Sequence, residues 1–122
     1  MAPSPTQATG HLFEQRAAQW LECQGLLILE RNLLCRAGEI DLAAREGNVL
    51  VFVEVRQRSS TSHGGAAASV NRPKQRRLLR AAHYFLPQLT RRHFEGRTPA
   101  CRFDVICMQG AAMQWIRHAF TE

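Results

Sequence analysis

The apolar positions fall into segments with two different periods. From residue 10 to 24, Phe13, Ala17, Trp20, Leu21 and Gln24 recur at helical spacing, and all but the last are apolar, so this stretch predicts an amphipathic helix. Thr9 is a candidate cap at its start, and Gly25 can close its end in a left-handed conformation. Leu26 to Leu34 is apolar and β-compatible. Cys35-Arg36-Ala37-Gly38 reads as a turn, with Gly38 free to take positive φ. Glu39 to Arg45 alternates like a strand, and Glu46-Gly47-Asn48 is a hairpin signal. Val49 to Arg56 is the strongest strand, with Val49, Val51, Val53 and Val55 on one face and Leu50, Phe52, Glu54 and Arg56 on the other. Three strands joined by tight turns predict an antiparallel meander.

Gln57 to Gly65 is polar and glycine-ended, and reads as a loop. Asn71 or Ser69 can cap a second long helix, with Pro73 tolerated in its first turn. Leu78, Leu79, Ala82, Phe85 and Leu86 form the apolar stripe of that helix, and Pro87 is expected to break or restart it. Cys101 to Gln109 is a further strand, Gly110 turns the chain, and Met113 to Phe120 reads as a last edge strand. The order predicts an α/β sandwich: helix, three antiparallel strands, helix, then one or two strands in a mixed sheet. At 122 residues the expectation is one domain over residues 10–122, behind a flexible tail at 1–9.

Composition narrows the class. A hydrophobic share of 45% and a charged share of 21% suit a globular core, and no apolar run approaches the roughly 20 residues that cross a bilayer. Met1 to Gly10 lacks the basic start and apolar stretch of a secretory signal, so a cytoplasmic location is expected, with no membrane partner. Cys23, Cys35, Cys101 and Cys107 form no close pair and read as free thiols, and the scattered histidines complete no zinc site.

Charge is divided along the chain. Residues 1–55 carry four arginines against seven carboxylates, a net −3, whereas residues 56–122 carry twelve basic residues against three acids, a net +9. A basic half beside a carboxylate-bearing half suits a polyanion held next to bound cations. Of the 16 basic residues only Lys74 is a lysine, a skew that usually reflects genome composition.

The candidate chemistry lies in Gly38-Glu39-Ile40-Asp41-Leu42 and Phe52-Val53-Glu54-Val55-Arg56. Alternation sets Glu39 and Asp41 on one face, away from Ile40 and Leu42, and sets Glu54 and Arg56 together on the next strand. A short hairpin can bring those faces into register. Hard carboxylate oxygens hold magnesium or manganese, which would polarise a phosphodiester and lower the pKa of a bound water. A structural ion pair is the plain alternative, but Glu54 sits inside a valine-rich strand where an ionised side chain is costly without a partner or a metal. Arg72, Lys74, Arg76, Arg77 and Arg80 put five positive charges into nine residues without an acid, and suit phosphate contact; a solvated helix face is the alternative. Arg58, in the loop, is a further candidate contact. Asp104 shares a strand face with Arg102 and reads as half of a structural pair.

These blocks, with Lys74-Gln75-Arg76-Arg77-Leu78 and Arg102-Phe103-Asp104-Val105, resemble the successive signature blocks of the YraN family over roughly residues 10–120. That family is similar to archaeal Holliday-junction resolvases, within the PD-(D/E)XK restriction-endonuclease-like superfamily. The resemblance implies a restriction-endonuclease-like core, a divalent metal (Mg or Mn), DNA as partner and, by analogy with resolvases, a homodimer. It maps Asp41 to the superfamily aspartate, Glu54 to its second acid and Arg56 to its lysine, and makes Asp41, Glu54 and Arg56 the catalytic candidates. It matches Glu14, on the first helix, to an acid near the metal beside Asp41 and Glu54; a solvated helix-surface carboxylate would read the same way. Arg56 departs from the pattern, since arginine keeps its charge and hydrogen bonds but does not give up a proton. For Lys74, phosphate contact is expected ahead of replacement of that lysine. The resulting hypotheses are a metal-dependent nuclease on branched or junction DNA, a non-catalytic nucleic-acid-binding module on the same fold, and an adaptor for an acidic protein.

Overall fold

The computed structural model describes residues 5–57 and 70–121, with side chains from residue 11 onward. The order is α1 (Pro5–Cys23), β1 (Leu27–Cys35), β2 (Gly38–Glu46), β3 (Val49–Gln57), α2 (Arg72–His93), β4 (Ala100–Gln109) and β5 (Ala112–Phe120). Five strands form one sheet in the order β1-β2-β3-β4-β5. β1 to β3 are the expected antiparallel meander, β4 runs parallel to β3, and β5 turns back antiparallel on β4. The parallel pair follows from connectivity. Strands joined by tight hairpins must alternate in direction, whereas the α2 crossover returns the chain to the end from which β3 began.

Each face of the sheet carries one helix and one core. Leu42, Ala44, Val51, Val53, Ile106 and Met108 pack beneath Ala17, Ala18 and Leu21 of α1. Ile40, Leu50, Phe52, Phe103 and Val105 pack against Leu78, Ala81, Ala82, Phe85 and Leu89 of α2. The valine and leucine–phenylalanine faces of β3 thus serve opposite layers, as the alternation requires.

Local signals account for most boundaries. Gly25 takes φ 99° after α1, and Leu26 N donates back to Leu21 O at 3.1 Å. Asn71 caps α2, its side chain accepting from Lys74 N at 2.9 Å. Two expectations are corrected. Thr9 is not a cap, because α1 begins at Pro5 and Thr9 lies within it; proline at a helix start pre-sets φ and gives up an amide that has no partner there. Pro87 does not interrupt α2, which runs unbroken to His93. Its missing donor costs about 3 kcal/mol, but Phe85 and Leu89, 5% and 0% exposed, hold both halves of the helix on the sheet. Arg58 and the Ser59–Ser62 stretch, with Ser69 as the other candidate cap, lie outside the described residues. No helix among the described residues is long and apolar enough to cross a membrane.

The pairing of Arg102 with Asp104 is as expected, and larger. Asp104 is fully buried and accepts from Arg102 Nε at 3.0 Å, Trp115 Nε1 at 3.0 Å and His118 N at 2.9 Å. Arg102 and Arg117 both reach Glu46 at 2.8 Å, tying β4 and β5 to the end of β2. The network sits where the β4–β5 register shifts between Phe103 and Val105, so one carboxylate replaces the ladder bonds lost at the bulge. Asp104→Ala leaves Arg102 and an indole N–H unmatched. It should lower unfolding stability by about 3 kcal/mol, read as a lower urea midpoint at unchanged m-value.

Candidate metal centre

The ladder between β2 and β3 runs from Glu46↔Val49 to Leu42↔Val53 and ends there. One residue further, the Asp41 side chain enters the gap, and its Oδ2 accepts from Val55 N at 2.9 Å. The alternation of β2 slips at the same point. Ile40 joins the α2 core and Leu42 the α1 core, although residues two apart on a regular strand share a face. The regular face on which alternation sets Glu39 and Asp41, away from both Ile40 and Leu42, is therefore broken at Asp41. Asp41 stands at a split in the sheet that both layers reach.

Three carboxylates meet beside that split. Single oxygens of Glu14 from α1 and of Glu39 and Asp41 from β2 lie within 4.8 Å of one another, all partly buried. Asn32 of β1 donates from Nδ2 to Glu14 and, at 3.0 Å, to Glu39 Oε1. Glu54 of β3 completes the surroundings from the α2 side. It is 6% exposed, and its Oε1 takes Lys74 Nζ at 3.5 Å and Arg56 Nη1 at 3.9 Å, while its buried Oε2 has no hydrogen-bond partner among the described residues.

The electrostatics follow from this crowding. Asp41 is pushed up to about 8, first by burial, then by the charge of Glu54 and more weakly by Glu14 and Glu39, against the pull of the Val55 amide. Burial also raises Glu54, which Lys74 and Arg56 partly offset. Such a set is a poor structural ion pair, with acids outnumbering the two cations that reach it among the described residues. A hard divalent cation fits the three-carboxylate donor set, because it would cancel the repulsion at Asp41.

The sequence-derived residues are distributed as follows. Glu14 and Asp41 join the three-carboxylate group, Glu54 lies beside it, and Arg56 shares the Glu54 carboxylate. Lys74, expected to contact phosphate, points onto Glu54 within the site. Arg72, Arg76, Arg77 and Arg80 are exposed along α2 and pair with no carboxylate among the described residues. Glu39 is a ligand candidate that alternation had put on the Asp41 face without assigning it a role. Asn32 had no signal of its own, being the last of three polar residues, Glu30-Arg31-Asn32, in an otherwise apolar strand.

These features define a class first: an α/β protein with a carboxylate-lined candidate metal centre at one end of a mixed sheet. Residues 13–108 match the uncharacterised protein family UPF0102. The chain is 55% identical over 117 residues to a UPF0102 protein of Bordetella parapertussis, covering 96% of this chain and 66% of that protein. It is 53% identical over 118 residues to a UPF0102 protein of Bordetella petrii, covering 97% and 73%. For a UPF0102 protein of Alkalilimnicola ehrlichii the figures are 52% over 120 residues, 98% and 92%. The chain belongs to UPF0102, the YraN family.

The raised Asp41 gives the site a pH signature. In the metal-free protein Asp41 keeps its proton up to about 8, whereas the unfolded chain releases it near 3.8. The folded state therefore binds the extra proton between those values. The contribution of Asp41 to stability is full below 3.8, shrinks as pH rises, and is gone above about 8. Denaturant midpoints of wild type minus Asp41→Asn should fall across that window.

Proposed function

We propose that this protein is a divalent-metal-dependent nuclease acting on structured DNA, such as branched or junction DNA, by phosphodiester hydrolysis. The observation that carries the reading is the convergence of three carboxylates near the buried Glu54, one oxygen of which has no partner among the described residues. Asp41, Glu14, Glu39 and Glu54 would hold Mg or Mn. The bound ion supplies charge cancellation at the phosphoryl group and a water of lowered pKa. The proposal includes kinship with the PD-(D/E)XK superfamily, whose motif order the blocks around Asp41, Glu54 and Arg56 resemble.

The remaining parts act on the substrate. Arg56 is a fixed cation that can clamp a phosphate or stabilise charge on it, but not a proton acceptor. Lys74 adds an amine on the same carboxylate, 3.5 Å from Glu54 Oε1. Residues 72–93 hold seven basic residues and no acid, and several of the cations lie in the first turns. Cations at a helix start oppose the helix dipole, so they cost stability unless an anion is there to meet them. That placement supports a phosphate-tracking face leading into the site. A homodimer belongs to the same proposal, since two strands cut symmetrically need two sites.

The second reading, a DNA-binding module without catalysis, is favoured by one feature: the arginine at position 56. A panel of linear, flapped and four-way DNA substrates with Mg or Mn separates the two. Cleavage by wild type, lost in Asp41→Asn and in chelator, is the expected result; binding without cleavage of any substrate would select the module. In either case, charge-neutralising Arg76 and Arg77 together should weaken DNA binding across sequences. The salt dependence should flatten by about one unit of slope per lost phosphate contact, as measured by fluorescence anisotropy over a salt series.

A further inference from the structure

Asn32 lies on β1 opposite Asp41, between the pairs Arg31↔Leu42 and Leu33↔Ile40. Its backbone is left-handed, at φ 53°. Inside a strand that conformation costs an L residue about 1 kcal/mol, with asparagine among the residues that tolerate it best. The conformation directs the side chain onto two carboxylates from different elements, Glu14 of α1 and Glu39 of β2. An amide nitrogen carries two hydrogens, one for each acceptor. Neither Glu14 nor Glu39 pairs with a cation among the described residues, so neutral N–H donors hold two like charges together there.

The cluster has an independent pointer to a ligand in the Glu54 Oε2 atom, buried and without a partner among the described residues, on a carboxylate whose charge acts on Asp41 and which the charge of Glu39 reaches in turn. We propose that Asn32 is a positioning residue, whose left-handed backbone and side-chain amide hold Glu14 and Glu39 around Asp41 as the cradle for a divalent cation. This rests on the metal-site reading above. The amide engages one oxygen of each glutamate and leaves the other to a cation. A serine would be too short to bridge α1 and β2, and an aspartate would add a like charge.

Asn32→Gly isolates the amide, because glycine keeps the left-handed backbone without strain. Manganese binding, followed by electron paramagnetic resonance titration of purified wild type and variant, gives a readout independent of cleavage. The variant should bind Mn about tenfold or more weakly, the usual effect of losing a group that orients a ligand. Its melting temperature should equal or exceed that of wild type, and the bound-Mn spectrum should broaden. Binding as tight as wild type, or tighter, with an unchanged spectrum would overturn the proposal and leave the amide as a plain surface contact. A fall in melting temperature in step with the affinity would overturn it in favour of a purely structural role. Wild type that binds no Mn would overturn the metal-site reading itself, an outcome distinct from the other two.

Discussion

Repulsion among carboxylates at the split between β2 and β3 is the constraint around which the rest of this structure is arranged. Hydrophobic burial on both faces of the sheet would be served as well by a continuous ladder. Instead the β2–β3 pairing stops at Leu42↔Val53, and an acid takes the next amide from within the gap. Glu14, Glu39 and Glu54 are then gathered near it from α1, β2 and β3. Asp41 and Glu54 bear the cost, each buried beside like charge. Folds tolerate such strain where binding needs it, and offset it elsewhere.

The offset is visible on the neighbouring strands β4 and β5. Asp104, Arg102, Trp115, Arg117 and Glu46 form a network in which opposite charges are matched and buried donors find acceptors. Trp20 meets Trp115 edge-on at 5.5 Å, and Phe103 lies between Phe52 and Phe120 in stacked pairs, so β5 is anchored to both layers. The two buried carboxylates on neighbouring strands thus have opposite characters. Asp104 has its donors in place, whereas Glu54 keeps one oxygen open. That contrast separates structure from site more sharply than burial does.

Element order and most turns were legible in the sequence because they rest on local rules: alternation in β3, the glycine after α1, the Asn71 cap. The site was half legible. Asp41, Glu54 and Arg56 follow from the motif blocks, and Glu14 from the resemblance. What escaped depends on departures from regularity. Alternation assumes an even pleat, so it could not show that Ile40 and Leu42 part to opposite cores, nor that Asn32 turns left-handed beside them. Lys74 escaped for another reason: its partner is 20 positions away on a different element, and only tertiary packing brings α2 onto Glu54. Pro87 and Thr9 show the reverse, local signals that burial and the true helix start override.

The one parallel pairing in the sheet carries a consequence for how the chain assembles. All four acids lie within the helix and meander of residues 14–54, whose contacts close through tight turns and form early at little cost in loop entropy. Lys74 arrives with the crossover, and Val49 can meet Ala100 only after that crossover has been laid down. Of the two cations that partly offset them, Arg56 belongs to the meander, and Lys74 joins only when the crossover packs down. Docking of α2 neutralises a nascent charged edge at the same time as it covers a hydrophobic face, which gives the slowest contacts of the topology an electrostatic pull toward closure.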